Sequence, residues 1–376
     1  MRLTEPLPRQ IDVTENYSMK KNSIRSIAQI GEYPPYGGGH SVHIQRLHSR
    51  LIASGIFSQV YCQPLQPEEQ DSNIFPVPKR LTWKRWLVTY GWRCKAEIIH
   101  CHNGWHWSPA MVIMALFGKK IVMTLHDQRM NEHWAKISPF ERFFSRLLVK
   151  LPNVAWVAVS SVIKKQLIDF GVHQERISVI PAFIPPSAQG ELPSDLQLFC
   201  KSHAPLLSTY AFKIPLDAHR EDVYGLDLCI NMVNNLIKNY PQIGLVICAP
   251  GDATQNYINQ LLAQSKYQNI RKNVFSVSTY LENAHLIWGA SDLFIRATNT
   301  DGDAITIREA LNSGTPVVAS DVCPRPAGVN CFKNRDANDL NTVVKSVLSN
   351  KQNPQKISIS DNYSALIEIY NHLLSQ

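Results

Sequence analysis

The sequence predicts an α/β protein of two tandem doubly wound, Rossmann-like domains facing each other across a cleft. Three observations predict it. Short, continuously apolar runs alternate with segments of helical period along the chain. That is the pattern of parallel strands buried on both faces with helices between them. The 376 residues exceed one ordinary core, so two domains are the natural division. Finally, the Pro- and Ser-rich stretch PAFIPPSAQGELPSD, residues 181–195, separates two such sets of elements. Its proline density forbids helix and favours an extended linker.

In the first half, apolar runs predict strands at Ser26–Gly31, Gln59–Cys62, Ile98–His102, Ile121–His126, Val154–Ser160 and Ile177–Pro181. Amphipathic helices lie between them, among them His40–Ala53 and Ser161–Phe170. In the second half the predicted strands are Leu206–Phe212, Gly244–Ala249, Val274–Val277, Leu293–Arg296 and Pro316–Ser320. Helices are predicted at Leu226–Asn239, Gln255–Gln264, Ala304–Asn312, Asn338–Ser349 and Ser364–Leu373. The expected division is an N-terminal domain over 1–185, with 1–22 a loose leader, and a C-terminal domain over 186–358. A closing helix over 359–376 packs back towards the first domain. Ligands of open parallel sheets sit at the carboxyl edges of the strands, which puts the ligand in the crevice between the two domains.

An apolar fraction of 44% with 18% charged residues is that of a soluble globular protein. The longest apolar run, Pro109–Phe117, is nine residues, too short to span a bilayer. The N-terminus has no apolar segment, so no secretory signal is expected. The eight cysteines show no CxxC pair, and Cys101, Cys229 and Cys248 lie in apolar runs. This suits reduced core thiols in the cytoplasm.

The net charge of +8 is uneven: residues 1–190 carry 23 Lys/Arg against 13 Asp/Glu, and the rest 15 against 17. A basic half suits nucleic acid or an anionic membrane. Within it, KRLTWKRWLVTYGWRCK places Lys79, Arg80, Lys84, Arg85, Arg93 and Lys95 among Trp83, Trp86 and Trp92 without an acid. Cations with interleaved aromatics suit a lipid headgroup region. Bases could stack there too, but nothing else points to nucleic acid, so an anionic membrane surface is the expected partner. Phe140–Leu151, basic and apolar, extends the same face. The expected location is cytoplasmic, peripheral at the inner face of the plasma membrane.

The densest chemistry lies in DGDAITIREALNSGTPVVASD, residues 301–321. It reads as acidic loop, helix, Gly-containing turn and buried strand. The first turn of the helix leaves the N–H groups of Ala304, Ile305 and Thr306 unpaired, at the positive end of the helix dipole, a setting for a diphosphate. Asp301 and Glu309 flank that anion site, and carboxylates there suit hydroxyl groups on either side of it. In the first half, Gly37, Gly38 and Gly39 precede a helix at the carboxyl edge of the first strand, allowing close backbone approach to a ligand. The spacing is not the dinucleotide fingerprint. His100, His102 and the pair His126–Asp127 lie at strand carboxyl ends. No histidine or cysteine set has a recognisable metal-ligand spacing, so no metal is expected. Asp301-Gly302-Asp303 spells the DxD of metal-dependent sugar transfer, but that motif belongs to another architecture. Asp303 is expected to cap the helix.

These residues together resemble the retaining family 4 glycosyltransferases of GT-B fold. The signature Glu, seven residues, Glu, then Ala and Gly-Thr/Val-Pro-Val is matched by Asp301, Glu309, Ala310 and Gly314-Thr315-Pro316-Val317. The family's Pro-Pro-x-Gly-Gly loop is matched by Pro34–Gly38, and its first-domain histidine by His126. The resemblance implies that Glu309 binds the nucleotide ribose, Asp301 the hydroxyls of the transferred sugar, and the backbone around Ile305 and Thr306 the diphosphate. It places His126 near the anomeric carbon and the Gly37–Gly39 loop over the donor. No cofactor is implied beyond a nucleotide-diphosphate sugar as co-substrate. The implied activity is metal-independent hexosyl transfer to a glycan or polyprenyl-diphosphate-linked acceptor, in bacterial O-antigen, capsule or exopolysaccharide synthesis. Three departures stand out. Asp301 replaces the first Glu, the family's Gly-Arg is replaced around Lys213, and its Lys-Gly appears as Tyr224-Gly225. Lys213 is the expected phosphate cation, with Arg220, Arg296 and Arg308 as substitutes; His102 and Asp127 are further phosphate or acceptor contacts. A GT-B nucleotide-sugar epimerase and a non-catalytic sugar-nucleotide-binding protein are the alternatives.

Overall fold

The computed structural model describes residues 24–35, 38–62, 71–77, 82–102, 104–186, 190–212, 216, 221–350 and 360–376. The first sheet contains β1 (Ser26–Gly31), β2 (Phe57–Cys62), β3 (Ile74–Pro76), β4 (Ile98–His102), β5 (Lys120–Leu125), β6 (Val154–Ala158) and β7 (Ile177–Val179), in the order β3-β2-β1-β4-β5-β6-β7. The second contains β8 (Leu206–Tyr210), β9 (Gly244–Cys248), β10 (Val274–Val277), β11 (Leu293–Arg296), β12 (Val317–Ser320) and β13 (Val329–Phe332), in the order β10-β9-β8-β11-β12-β13. Every pairing within the two sheets is parallel. The central strands β4 and β9 are buried along their whole length; β9 is accordingly an unbroken apolar run, whereas β4 also buries His100 and His102.

The predicted strands form, four of them with the predicted bounds and the others shifted by one or two residues at an end. Sequence reading missed β3 and β13. Both are short edge strands: β3 ends in Pro76 and β13 exposes its two central residues. Neither has the apolar run that marks a central strand.

Strand order reverses between β1 and β4 in the first sheet and between β8 and β11 in the second. At such reversals the loops leave in opposite directions and open a crevice at the carboxyl edge. The Gly38–Gly39 loop follows β1, His102 ends β4, Tyr210 ends β8 and Asp301 follows β11. The fold thus brings both crevices to one cleft, and with them Gly38, Gly39, His102, His126, Asp301 and Glu309.

The helix Tyr363–Ser375 returns to the first sheet. Leu366, Tyr370 and Leu373 are buried among Ile27, Val122 and Val157, and each leucine contributes about 1.5–3 kcal/mol relative to exposure. The Tyr370 hydroxyl bonds His100 Nδ1 at 2.6 Å, and Thr124 Oγ1 bonds His100 Nε2 at 2.6 Å. His100 is therefore a satisfied core residue rather than a ligand-facing one.

Candidate active site

A cavity of about 1270 Å³ separates the sheets. Its first-domain wall includes Gly38, Gly39, Arg46, His102, His126 and Asp127; its second-domain wall includes Tyr210, Arg296, Asp301, Ala304–Thr306 and Glu309. The helix Ile305–Asn312 starts there, with Ala304 as N-cap residue and no side-chain cap. Asp303, expected to cap it, instead pairs with Arg308 through Nε contacts of 2.9 and 3.0 Å. A guanidinium four residues into the helix competes better for this carboxylate than the backbone N–H groups, which leaves the helix start open. Arg308 is used in that pair and does not line the cavity among the described residues.

Glu309 is 5% exposed. Its Oε2 accepts a 2.7 Å bond from Trp288 Nε1, and its Oε1 accepts from Arg46, whose other nitrogen reaches the Ile184 carbonyl at 3.2 Å. Arg46 belongs to the helix Gly39–Ala53 of the first domain, so this ion pair crosses the cleft. A carboxylate offers about four acceptor sites; two are taken, and two remain on a fixed group.

Asp301 lies between two guanidiniums: Arg325 at 2.8 Å and Arg296 at 3.1 and 3.3 Å. Burial pushes its pKa up, but the two cations outweigh burial and hold it below the usual carboxylate range. Burial also raises Asp303, and there Arg308 does not fully offset it. Asp127 is held well below the carboxylate range: hydrogen bonds from His133 and Arg129 override its desolvation. Arg296 additionally stacks over the Tyr224 ring, 5.6 Å from its centroid. In Tyr224-Gly225 the glycine adopts φ 65°, and a Cβ there would meet the Ala297 carbonyl at 2.3 Å, which accounts for glycine at that position.

The two walls nearly touch. A Cβ on Gly302 would lie 2.9 Å from the His126 carbonyl, and one on Gly39 would lie 3.5 Å from Ile305. Among the predicted site residues, Gly37, Lys213 and Arg220 lie outside the described residues, as do Lys79 and Arg80 of the basic stretch. Arg46, Trp288 and Arg325 were missed, since none of them stands within a motif that the sequence displays.

The basic aromatic stretch needs one correction. Trp86 is fully buried in the first core and cannot meet a membrane. It is the inward residue of the amphipathic helix Thr82–Thr89. Lys84, Arg85, Trp92, Arg93 and Lys95 are exposed. Trp83 stacks on Phe140 at 5.9 Å, which joins this stretch to the helix Pro139–Leu148, where Phe140 and Phe143 are 52% and 63% exposed. No helix among the described residues is long and apolar enough to cross a membrane.

Comparison with known proteins agrees with this architecture. Residues 37–188 match the family model described as Glycosyltransferase Family 4, and residues 218–350 match the model of Glycosyl transferases group 1. No curated protein matches the chain by sequence. Among solved structures, HepE of Anabaena in complex with UDP-glucose is 17% identical, with a TM-score of 0.61 over 93% of this chain and 100% of that one. Sucrose-phosphate synthase of Thermosynechococcus elongatus is 16% identical, TM-score 0.64, over 93% and 99%. WaaG, a glycosyltransferase involved in lipopolysaccharide biosynthesis, is 16% identical, TM-score 0.61, over 93% and 95%. At such identities these structures speak for the fold, while the two family models cover most of both sheets; the chain belongs to the GT-B glycosyltransferases, with a family 4 first domain and a group 1 second domain.

Proposed function

We propose that the protein transfers a hexose or related sugar, with retention of anomeric configuration, from a nucleoside-diphosphate sugar to a glycan acceptor carried on polyprenyl diphosphate. The observation that carries the reading is Glu309, fixed by Trp288 and Arg46 on the cleft wall one helical turn beyond the uncapped helix start. Its two remaining acceptor sites suit the paired hydroxyls of a ribose, and the Ala304–Thr306 backbone suits the adjoining diphosphate. Departure of the nucleoside diphosphate is the demanding step, and preorganised N–H groups stabilise the charge it develops. The bond between anomeric carbon and phosphate oxygen breaks; the acceptor hydroxyl attacks from the same face and gives its proton to that oxygen. Asp301 serves mainly to hold Arg296 and Arg325, and its single remaining acceptor site faces the sugar. His126, beside Gly302, sits over the same space. The UDP-glucose bound to HepE and the lipopolysaccharide role of WaaG support a surface-polysaccharide setting. The exposed cations and aromatics around Trp92 and Phe143 suit an anionic membrane that presents the acceptor.

The test is turnover with a panel of nucleotide sugars and a polyprenyl-diphosphate-linked acceptor, with the product anomer assigned by NMR. The donor's anomeric configuration is expected in the product. An inverted product, or an epimerised nucleotide sugar formed without acceptor, overturns the reading.

A further inference from the structure

Granted the nucleoside-diphosphate donor of the preceding reading, on which this step rests, we propose that Arg296 receives the sugar-bearing phosphate and that Asp301 holds it in place to do so. Among the described residues three guanidiniums line the cavity: Arg46, Arg129 and Arg296. Arg46 is matched by Glu309, and Arg129 by Asp127, whose Oδ2 accepts from Nη2 at 2.6 Å. Arg296 differs. Asp301, its only carboxylate partner among the described residues, also pairs with Arg325. One negative charge therefore serves two guanidiniums. The Arg325 side chain is 3% exposed, donates to the Ser320 carbonyl and hydroxyl, and does not line the cavity. The unmatched positive charge thus meets the cleft at Arg296, the one Lys or Arg that the second domain contributes to the cavity lining among the described residues.

Arg296 ends β11 and is held on three sides. Its Nε and Nη2 donate to the two oxygens of Asp301 at 3.1 and 3.3 Å, its Nη1 donates to the Tyr210 carbonyl at 3.2 Å, and the Tyr224 ring lies against the guanidinium. Three of the five N–H groups are thereby used. The two that remain, one on each terminal nitrogen, have no acceptor among the described residues, and a pair of this kind suits a phosphate. Ala304, Ile305 and Thr306, at the uncapped helix start, line the same cavity, so an anion there meets the helix terminus and the guanidinium together. A buried charge without its full counter-charge is unfavourable. A diphosphate supplies what is missing, and the attraction grows as the leaving group gathers negative charge. Because Asp301, Tyr210 and Tyr224 fix the guanidinium beforehand, little reorganisation is needed at that moment.

The test is calorimetric titration of the full-length wild type and of Arg296→Gln with UDP, GDP and ADP and with the three corresponding monophosphates. None carries a sugar, so a preference for the diphosphate reports the second phosphate alone. The wild type is expected to bind at least one diphosphate more tightly than its monophosphate. Arg296→Gln is expected to lose about 10–100-fold in affinity for that diphosphate, while monophosphate affinity changes by less than about threefold. A purely structural role for Arg296 would weaken both nucleotides together and leave the preference as it was. Should Arg296→Gln fail to fold, Arg296→Lys takes its place: it keeps a point charge but loses the fork, and the preference is expected to fall about threefold or more. No diphosphate preference in the wild type, or a preference unchanged in the folded variant, overturns the proposal, while nucleotide binding that depends on Glu309 leaves the proposed sugar transfer standing. Absence of nucleotide binding in the wild type overturns both.

Discussion

Arg46 and Glu309 offer a perturbation whose size can be worked from the structure. Their side chains are 13% and 6% exposed, and they belong to different domains. Breaking a buried ion pair by removing one partner costs about 3–5 kcal/mol, much of it from the charge left behind. In Arg46→Met the stranded carboxylate keeps its 2.7 Å bond from Trp288, and opening of the cleft admits water. The expected cost is therefore at the lower end, about 3 kcal/mol. The same loss releases Glu309 from its orientation, so nucleoside-diphosphate affinity should fall about tenfold or more, equal to 1.4 kcal/mol or more. The assay is a double-mutant cycle of Arg46→Met and Glu309→Gln, read by denaturant unfolding and by calorimetric titration of nucleotide. A coupling energy above about 1 kcal/mol is expected in both. Additivity within about 0.5 kcal/mol refutes the argument, because then the pair neither ties the domains nor aims the carboxylate.

Four further outcomes follow from particular contacts. Gly302→Ala puts a methyl 2.9 Å from the His126 carbonyl; at an ordinary φ the clash is purely steric, so kcat should fall with little loss of thermal stability, as steady-state kinetics beside a melting curve will show. Trp92→Ser with Phe143→Ser should reduce cosedimentation with anionic vesicles while changing stability by only about 0.5 kcal/mol. Trp86→Ala, at the buried position, should cost about 3–5 kcal/mol. Burial holds His43 neutral, with a pKa of about 4 against 6.5 unfolded. The unfolded chain takes up the proton first, so stability is full above pH 6.5 and falls as the pH drops to 4, by about 3 kcal/mol from this residue. Urea melts across that window should show the decline largely removed in His43→Gln.

Much of this was legible in the sequence because it is local. The central strands announce themselves as apolar runs, and the Asp301–Asp321 segment carries loop, helix and turn in one stretch. Glu309 lies on the cleft wall for that reason. What was not legible depends on distance along the chain. Arg46 meets Glu309 across 263 positions, and Arg325 reaches Asp301 from beyond β12. His43, His102 and His126 meet in ring contact from three elements far apart in the chain. Trp86 and Trp92 look alike in a basic aromatic run, yet the helical period turns one into the core and leaves the other in solvent. Asp303 sits one residue before the N-cap position and is held by an arginine one turn on.

Glu309 and the open end of the Ile305–Asn312 helix are the proposed seat of a nucleoside diphosphate. Calorimetric titration of UDP, GDP and ADP into the wild type and into Glu309→Ala tests this directly. Binding of at least one nucleotide, weakened about tenfold or more in the variant, is the predicted result. Nucleotide affinity unchanged by the loss of Glu309, or none in the folded wild type, would contradict it.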